Sequence, residues 1–156
     1  MNTELQAQAM VMRYFNASPE RVFGAWLDPE LIGQWMFGSD GREEEVVKIT
    51  VDARVGGGFS FVVRRQGQEI DHLGEYFEIV RPCRLVFSWG IRQGSPGNSR
   101  VIVEIVPLDR GAELTLTHEL QRTWGDCASR AEGAWARMLD TLAATLSRNS
   151  PGLAPE

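Results

Sequence analysis

Residues Asp126 to Arg148 read DCASRAEGAWARMLDTLAATLSR, and this stretch decides the fold. Its apolar side chains recur every three or four residues, at Ala131, Trp135, Met138, Leu139, Leu142 and Leu146. That spacing places them on one face of an α-helix, with charged residues around the rest of its circumference. At 1.5 Å per residue the helix is roughly 30 Å long. The stretch therefore predicts one long amphipathic helix whose apolar face needs a second layer to cover it.

The region before this helix alternates with a period of two, which is typical of β-strands. Six strands joined by tight turns are predicted there. They cover residues 45–51, 59–64, 71–80, 85–89, 101–106 and 114–119. By the same alternation, residues 9–15 predict one further strand near the start of the chain. The sequence therefore predicts about seven strands, six of them in a meander.

Two short helix starts of the same design lie between the first strand and the meander. Ser18 precedes Pro19, and Asp28 precedes Pro29. In each pair an N-cap residue is followed by proline at the first helical position. We therefore expect two short helices before the meander begins.

The grouping of these elements sets the fold class. Strands that follow one another and end in a single helix indicate an α+β layer rather than alternating βαβ units. A sheet that covers one cylindrical helix has to curve, and the glycines at 56–58 are a natural place for that curvature. We predict one domain over residues 9–148, between a flexible N-terminus at 1–8 and a flexible tail at 149–156. The sheet is expected to wrap the long helix and to enclose an apolar pocket.

Composition narrows the classes of function. The chain has 156 residues, 43% of them hydrophobic, which suits one globular domain. Its net charge of −5 argues against a nucleic-acid groove and against an anionic membrane surface. The N-terminus lacks the features of a signal peptide, and no apolar run approaches the roughly 18 residues of a membrane span. Because Cys83 and Cys127 are widely spaced and form no disulfide framework, a reduced cytoplasmic setting is the simplest interpretation.

Two titratable residues are candidates for catalysis. His118 shares a strand face with Leu114 and Leu116, so we expect it to point toward the helix, where a neutral imidazole could orient a ligand or act as a base. Glu75 lies two residues before Phe77, so regular alternation would place both side chains on the inward face of the strand. A carboxylate in an apolar cavity would have a raised pKa and could pair with His118. The alternatives are a core histidine held by hydrogen bonds, and a Glu75 that lies at the rim because the inward run begins only at Phe77.

Aromatic side chains exceed what a small core demands, and we expect some of them to border a cavity. The candidate ligand-binding residues are Trp35, Phe37, Phe59, Phe61, Phe77, Phe87, Trp89, His118, Trp124, Trp135 and Met138. Trp26, on the first helix, is expected to pack structurally. Two histidines and two distant cysteines predict no metal site. The glycines at 56–58 lack the lysine and the following helix of a phosphate-binding loop, so no cofactor is expected.

Six stretches carry a resemblance to a known family. They are ASPERVFGAW at 17–26, DPELIGQW at 28–35, VGGGFSF at 55–61, RPCRLVFSW at 81–89, LTLTHE at 114–119 and WARMLDTL at 135–142. In this order they resemble the domain of the Hsp90 ATPase activator type, within the START-like helix-grip superfamily. One departure is Met36, where the family often has a second aromatic residue after the tryptophan.

The resemblance implies a helix-grip fold with a cavity between the sheet and the long helix. It also implies a small apolar or amphipathic ligand, because relatives in the superfamily bind lipids, sterols, polyketides or plant hormones. The family name comes from a two-domain co-chaperone, so a chaperone-associated role is the alternative, although this chain has no room for the second domain. A third hypothesis is a hydrolase or cyclase that uses His118. Because no complete catalytic set is present, the sequence favours a binding module over an enzyme, and an exposed strand edge would allow a homodimer.

Overall fold

The computed structural model describes residues 7–37, 44–91, 99–120 and 126–148. Its elements follow the predicted order of strand, short helices, meander and long helix. They are β1 (Ala7–Phe15), α1 (Pro19–Gly24), α2 (Pro29–Ile32), a π-helical turn (Gly33–Phe37), β2 (Glu44–Val51), β3 (Gly58–Arg65), β4 (Gln68–Val80), β5 (Arg84–Ile91), β6 (Ser99–Leu108), β7 (Gly111–Leu120) and α3 (Asp126–Arg148). The α+β class and the bounds of the long helix are confirmed.

The seven strands of the described residues form one antiparallel sheet in the order β1-β7-β6-β5-β4-β3-β2. Strands β2 to β7 are a meander, and β1 pairs with β7, so the start of the chain lies beside its last strand. Helix α3 packs against β1 and against the π-helical turn. Its side chains Trp135, Leu139 and Leu142 join the same core as the inward residues of the sheet. This is the predicted helix-grip arrangement.

The short helices begin where their caps predict. Ser18 Oγ accepts a hydrogen bond from the backbone N–H of Arg21 at 3.2 Å, and Asp28 Oδ1 accepts from that of Glu30 at 3.0 Å. Each bond satisfies an N–H that the first helical turn leaves unpaired. The π-helical turn that follows α2 buries three large side chains, Trp35, Met36 and Phe37.

The inward face of β4 differs from the prediction. Glu75 is exposed and Phe77 is 42% exposed, whereas Tyr76 between them is buried. The cause is an irregularity in the β4–β5 register between Tyr76 and Glu78. Such a bulge adds one residue to the strand and so reverses the alternation of its side chains. If even-numbered residues face inward before the bulge, odd-numbered residues face inward after it. Ile79, which follows the bulge, packs against the core. The inward orientation predicted for Phe77 is wrong, and of the two interpretations of Glu75 the inward one is wrong.

Gly74 lets β4 approach its neighbours closely. It pairs with Phe59 on β3. A Cβ atom at this position would lie 2.1 Å from the Ser88 carbonyl oxygen and 2.3 Å from Cζ of Phe59. No side chain fits at such distances in a close-packed interior. The glycine therefore gives the Phe59 ring its place over the strand.

Candidate functional site

A small cavity lies between strands β3 to β5 and the helical segments of the chain. Its volume is about 10 Å³, and the side chains that line it are Trp26, Met36, Phe59, Phe61, Tyr76, Phe87 and Trp89. A void of this size holds about one water molecule, whereas sites for small molecules usually enclose roughly 300 Å³ or more. Side chains therefore fill most of the interior, and a ligand has to displace some of them.

The rings of this wall are in direct contact with one another. Phe59 stacks on Phe61 with centroids 4.6 Å apart and meets Phe87 edge-on at 5.6 Å. The ring of Trp89 lies 5.4 Å from that of Trp135 on α3, so the cluster spans the space between the sheet and the long helix. Trp89 is half-buried, while the other lining residues are buried. Trp89 thus marks the side on which the cavity lies nearest to solvent.

Trp26 packs in the core, as expected, and its side chain also lines the cavity. Its ring meets Trp35 edge-on at 4.7 Å and stacks on Trp135 at 6.0 Å. The residue is 3% exposed, and its Nε1 atom has no hydrogen-bond partner. Trp35, by contrast, donates from Nε1 to the Ala25 carbonyl oxygen at 3.0 Å. The two neighbouring indoles therefore differ in whether their N–H group is satisfied.

His118 holds a chain of hydrogen bonds beside the aromatic cluster. Trp135 Nε1 donates to His118 Nδ1 at 3.2 Å, and His118 Nε2 lies 3.0 Å from Ser99 Oγ. Because an indole N–H can only donate, Nδ1 has to accept, and the proton of the neutral ring is on Nε2. Nε2 then donates to Ser99, whose hydroxyl donates to the Trp89 carbonyl oxygen at 2.6 Å. Both ring nitrogens are engaged, as the alternative of a hydrogen-bonded core histidine requires.

The surroundings of His118 keep it uncharged. Burial lowers the pKa of His118 to about 4, because a charged ring would lose its hydration here. Protonation would also place a second N–H on Nδ1, directed at the N–H of Trp135. The side chain is 4% exposed, so its predicted inward orientation is correct. A group with this pKa and no free nitrogen is a poor general base near pH 7.

The two candidate catalytic residues, His118 and Glu75, do not lie together. His118 is buried beside α3, while Glu75 is exposed on the outward face of β4. None of the side chains that line the cavity is a carboxylate or an imidazole. The wall of the cavity therefore offers no acid–base pair of the kind that a hydrolase or cyclase using these two residues would need.

The other predicted ligand-binding residues differ in where the structure places them. Those that line the cavity are Phe59, Phe61, Phe87 and Trp89. Those that belong to the surrounding core without lining it are Trp35, Phe37, Trp135 and Met138. Phe77 faces away from the cavity, and Trp124 lies outside the described residues.

Three of the residues that line the cavity were not among the ligand-binding residues predicted from the sequence. Tyr76 is hidden by the phase shift on β4. Met36 directly follows Trp35, and the π-helical turn buries both side chains together with Phe37. The signal that could have found Met36 is its position directly after Trp35, where the family resemblance implies a second aromatic residue. Trp26 follows the end of α1, and the α-helical spacing of its apolar neighbours favours a packing role.

Within the described ranges, no group of three or more histidine, cysteine, aspartate or glutamate side chains could hold a metal ion. None of the helices described there is long and apolar enough to cross a membrane. Cys83 is an exposed free thiol, and the side chain of Cys127 lies outside the described residues. The site is therefore characterised by its aromatic rings and by their few polar atoms.

Known proteins share both the sequence pattern and this architecture. The family model described as Activator of Hsp90 ATPase homolog 1-like protein matches residues 16–147. Among solved structures, the Mll3558 protein from Rhizobium loti is 29% identical, with a TM-score of 0.73 over 90% of this chain and 96% of that one. Protein CV1439 from Chromobacterium violaceum is 28% identical, with a TM-score of 0.75 over 88% and 94%. The AHSA1-like protein from Aeromonas hydrophila shares the fold at 19% identity, with a TM-score of 0.77 over 96% and 98%. No curated protein matches the sequence.

Proposed function

Because this chain belongs to the family of Activator of Hsp90 ATPase homolog 1-like proteins, we propose that it binds a small, largely apolar molecule between the sheet and α3. The observation that supports the proposal is the aromatic wall around the cavity, which joins strands β3 to β5 to Trp26 and Met36. Apolar walls with a few polar atoms are typical of sites for small molecules.

Room for the ligand has to come from side chains that move. Met36 is the most adaptable residue of the wall, because methionine is unbranched and has three rotatable bonds, whereas the other lining residues carry rigid rings. It lies in the π-helical turn, an irregularity that often marks functional sites. A change of Met36 rotamer would widen the cavity, and half-buried Trp89 marks the side from which a ligand can enter.

Met36→Ala is expected to enlarge the cavity and to bind naphthalene more tightly than the wild-type protein does. Truncation of a buried methionine lowers the free energy of unfolding by about 2 kcal/mol. A probe that fills the new space binds only the folded state and restores part of this loss. The measurements are an NMR titration with naphthalene and urea unfolding with and without the probe.

Met12→Ala is the matched control, because Met12 is 51% exposed on the outward face of β1. It is expected to change the free energy of unfolding by less than about 0.5 kcal/mol and to leave naphthalene binding as it is. The proposal is wrong if naphthalene neither shifts the resonances of the lining residues in the wild-type protein nor stabilises Met36→Ala.

A second candidate function uses the outward face of the sheet. Met10, Met12 and Tyr14 of β1 form a row of exposed side chains there. Exposed apolar surface on an edge strand is typical of an interaction site, and the family is named for an activator of the Hsp90 ATPase. If this row binds a chaperone of that type, the protein raises the chaperone's ATPase rate, and Met12→Glu abolishes the rise while Met36→Ala retains it. An unchanged rate with the wild-type protein would remove this candidate.

A further inference from the structure

Trp26 Nε1 is a buried donor that has no hydrogen-bond partner among the described residues. Within the described ranges it is the one fully buried side-chain nitrogen or oxygen that lacks a hydrogen-bond partner. Burial of an unpaired N–H costs free energy, so a donor of this kind in a native protein calls for an explanation. Since Trp26 lines the cavity, a molecule that binds there is the natural acceptor.

The two indoles in contact with Trp26 show how the chain satisfies the same group elsewhere. Trp35 Nε1 donates to the Ala25 carbonyl oxygen at 3.0 Å, and Trp135 Nε1 donates to His118 Nδ1 at 3.2 Å. Both lie within 6.0 Å of the Trp26 ring, measured between centroids. The fold therefore supplies acceptors to its other buried tryptophans in this cluster, and Trp26 stands apart from them.

We infer that the ligand is an apolar molecule with one uncharged hydrogen-bond acceptor, such as the carbonyl oxygen of a ketone, aldehyde or ester, and that this oxygen accepts from Trp26 Nε1. The inference rests on the proposed function and specifies the chemical class of its ligand. The apolar body of the molecule contacts the rings of Phe59, Phe61 and Phe87, while the single acceptor fixes its orientation.

The absence of charge follows from the composition of the wall. Among the described residues, no lysine, arginine or histidine lines the cavity, so a carboxylate or phosphate would be buried without a counter-charge from them. His118, which lies beside the cluster, has both nitrogens engaged and accepts no further donor. An uncharged ligand with an acceptor for Trp26 Nε1 therefore fits the described surroundings.

The test compares two neutral probes of similar shape, acetophenone and α-methylstyrene. Acetophenone carries a carbonyl oxygen where α-methylstyrene carries a methylene group, which accepts no comparable hydrogen bond. Acetophenone is expected to bind the wild-type protein about tenfold more tightly, the contribution of one buried hydrogen bond. In ¹⁵N-labelled protein it is expected to move the Trp26 indole N–H proton downfield, while α-methylstyrene leaves it nearly unchanged. Benzoate at pH 7 is expected to bind at least tenfold more weakly than acetophenone.

The outcomes separate this inference from the proposed function. If the two neutral probes bind equally well and neither shifts the Trp26 indole selectively, apolar binding stands and the assigned acceptor is wrong. A weak contact of the N–H with a neighbouring ring would give that result. If neither of these probes binds but naphthalene does, the proposed function stands and the inference is wrong; if naphthalene does not bind either, both are wrong.

Trp26→Phe removes the donor and keeps an aromatic ring. It is expected to remove the preference, so that acetophenone and α-methylstyrene bind this variant with similar affinity. Trp89→Phe also alters the wall and changes the affinity of both probes, but it is expected to keep the ratio between them, because it leaves Trp26 Nε1 in place. If Trp26→Phe keeps the tenfold preference for acetophenone, the inference is overturned. The indole shift in the wild-type protein needs no variant, so it tests the inference even where Trp26→Phe does not fold.

Discussion

Gly74→Ala is expected to lower the free energy of unfolding by about 3 kcal/mol or more. The added Cβ would lie 2.1 Å from the Ser88 carbonyl oxygen and 2.3 Å from the Phe59 ring. The carbonyl belongs to β5 and cannot retreat without disturbing the sheet, so both the backbone and the ring have to move. Because Phe59 lines the cavity, the variant is also expected to change naphthalene binding. Urea unfolding and the NMR titration measure the two effects.

Gly133→Ala provides the matched control for the same chemical change. Gly133 lies in α3, and its added Cβ would meet only the flexible end of Arg137, at 3.7 Å. Alanine is favoured over glycine inside a helix, so this variant is expected to be up to about 1 kcal/mol more stable than the wild-type protein. If Gly74→Ala unfolds at the same urea concentration as the wild-type protein, the close approach described for β4 is not present in solution.

Local patterns were sufficient to predict the elements of the fold. The caps at Ser18 and Asp28 depend on residues two or three positions away, and both form as predicted. The long helix and the strands depend on periodicities of 3.6 and 2, which hold wherever the backbone is regular. The prediction fails on β4, where a bulge between Tyr76 and Glu78 interrupts the alternation. A one-residue irregularity leaves no clear mark in composition, yet it exchanges the two faces of the strand.

The site was harder to predict because it depends on contacts between distant parts of the chain. An aromatic lining was correctly expected, and Phe59, Phe61, Phe87 and Trp89 belong to it. The hydrogen bonds of His118 join β7 to Ser99 and to Trp135, and no spacing within the sequence indicates them. Whether a tryptophan N–H finds an acceptor is likewise decided by tertiary packing. Sequence patterns thus identify which residues are buried more readily than which of their polar atoms remain unpaired.

His118 is expected to make the protein lose stability as the pH falls from about 6.5 to about 4. The pKa of His118 is lowered from the 6.5 of an exposed histidine to about 4 in the folded protein, where burial disfavours the charged ring. Between these values the unfolded chain binds more protons than the folded one, so the free energy of unfolding decreases as the pH is lowered. Above pH 6.5 the ring is neutral in both states and His118 causes no loss of stability. By pH 4 the free energy of unfolding is about 3 kcal/mol lower. Urea unfolding at a series of pH values measures this slope.

His118→Gln tests whether His118 causes this pH dependence of the free energy of unfolding, because glutamine retains a donor and an acceptor but does not titrate. The variant is expected to show a flatter dependence between pH 4 and 6.5 than the wild-type protein. His72→Gln is the matched control: His72 is half-buried, with its Nδ1 3.3 Å from the Phe61 carbonyl oxygen, and its replacement is expected to retain most of the slope. An imidazole NMR titration checks the assignment directly, since the neutral ring of His118 has to carry its proton on Nε2. A midpoint near 6.5, or a proton on Nδ1, would contradict the hydrogen-bonded chain from Trp135 to Ser99.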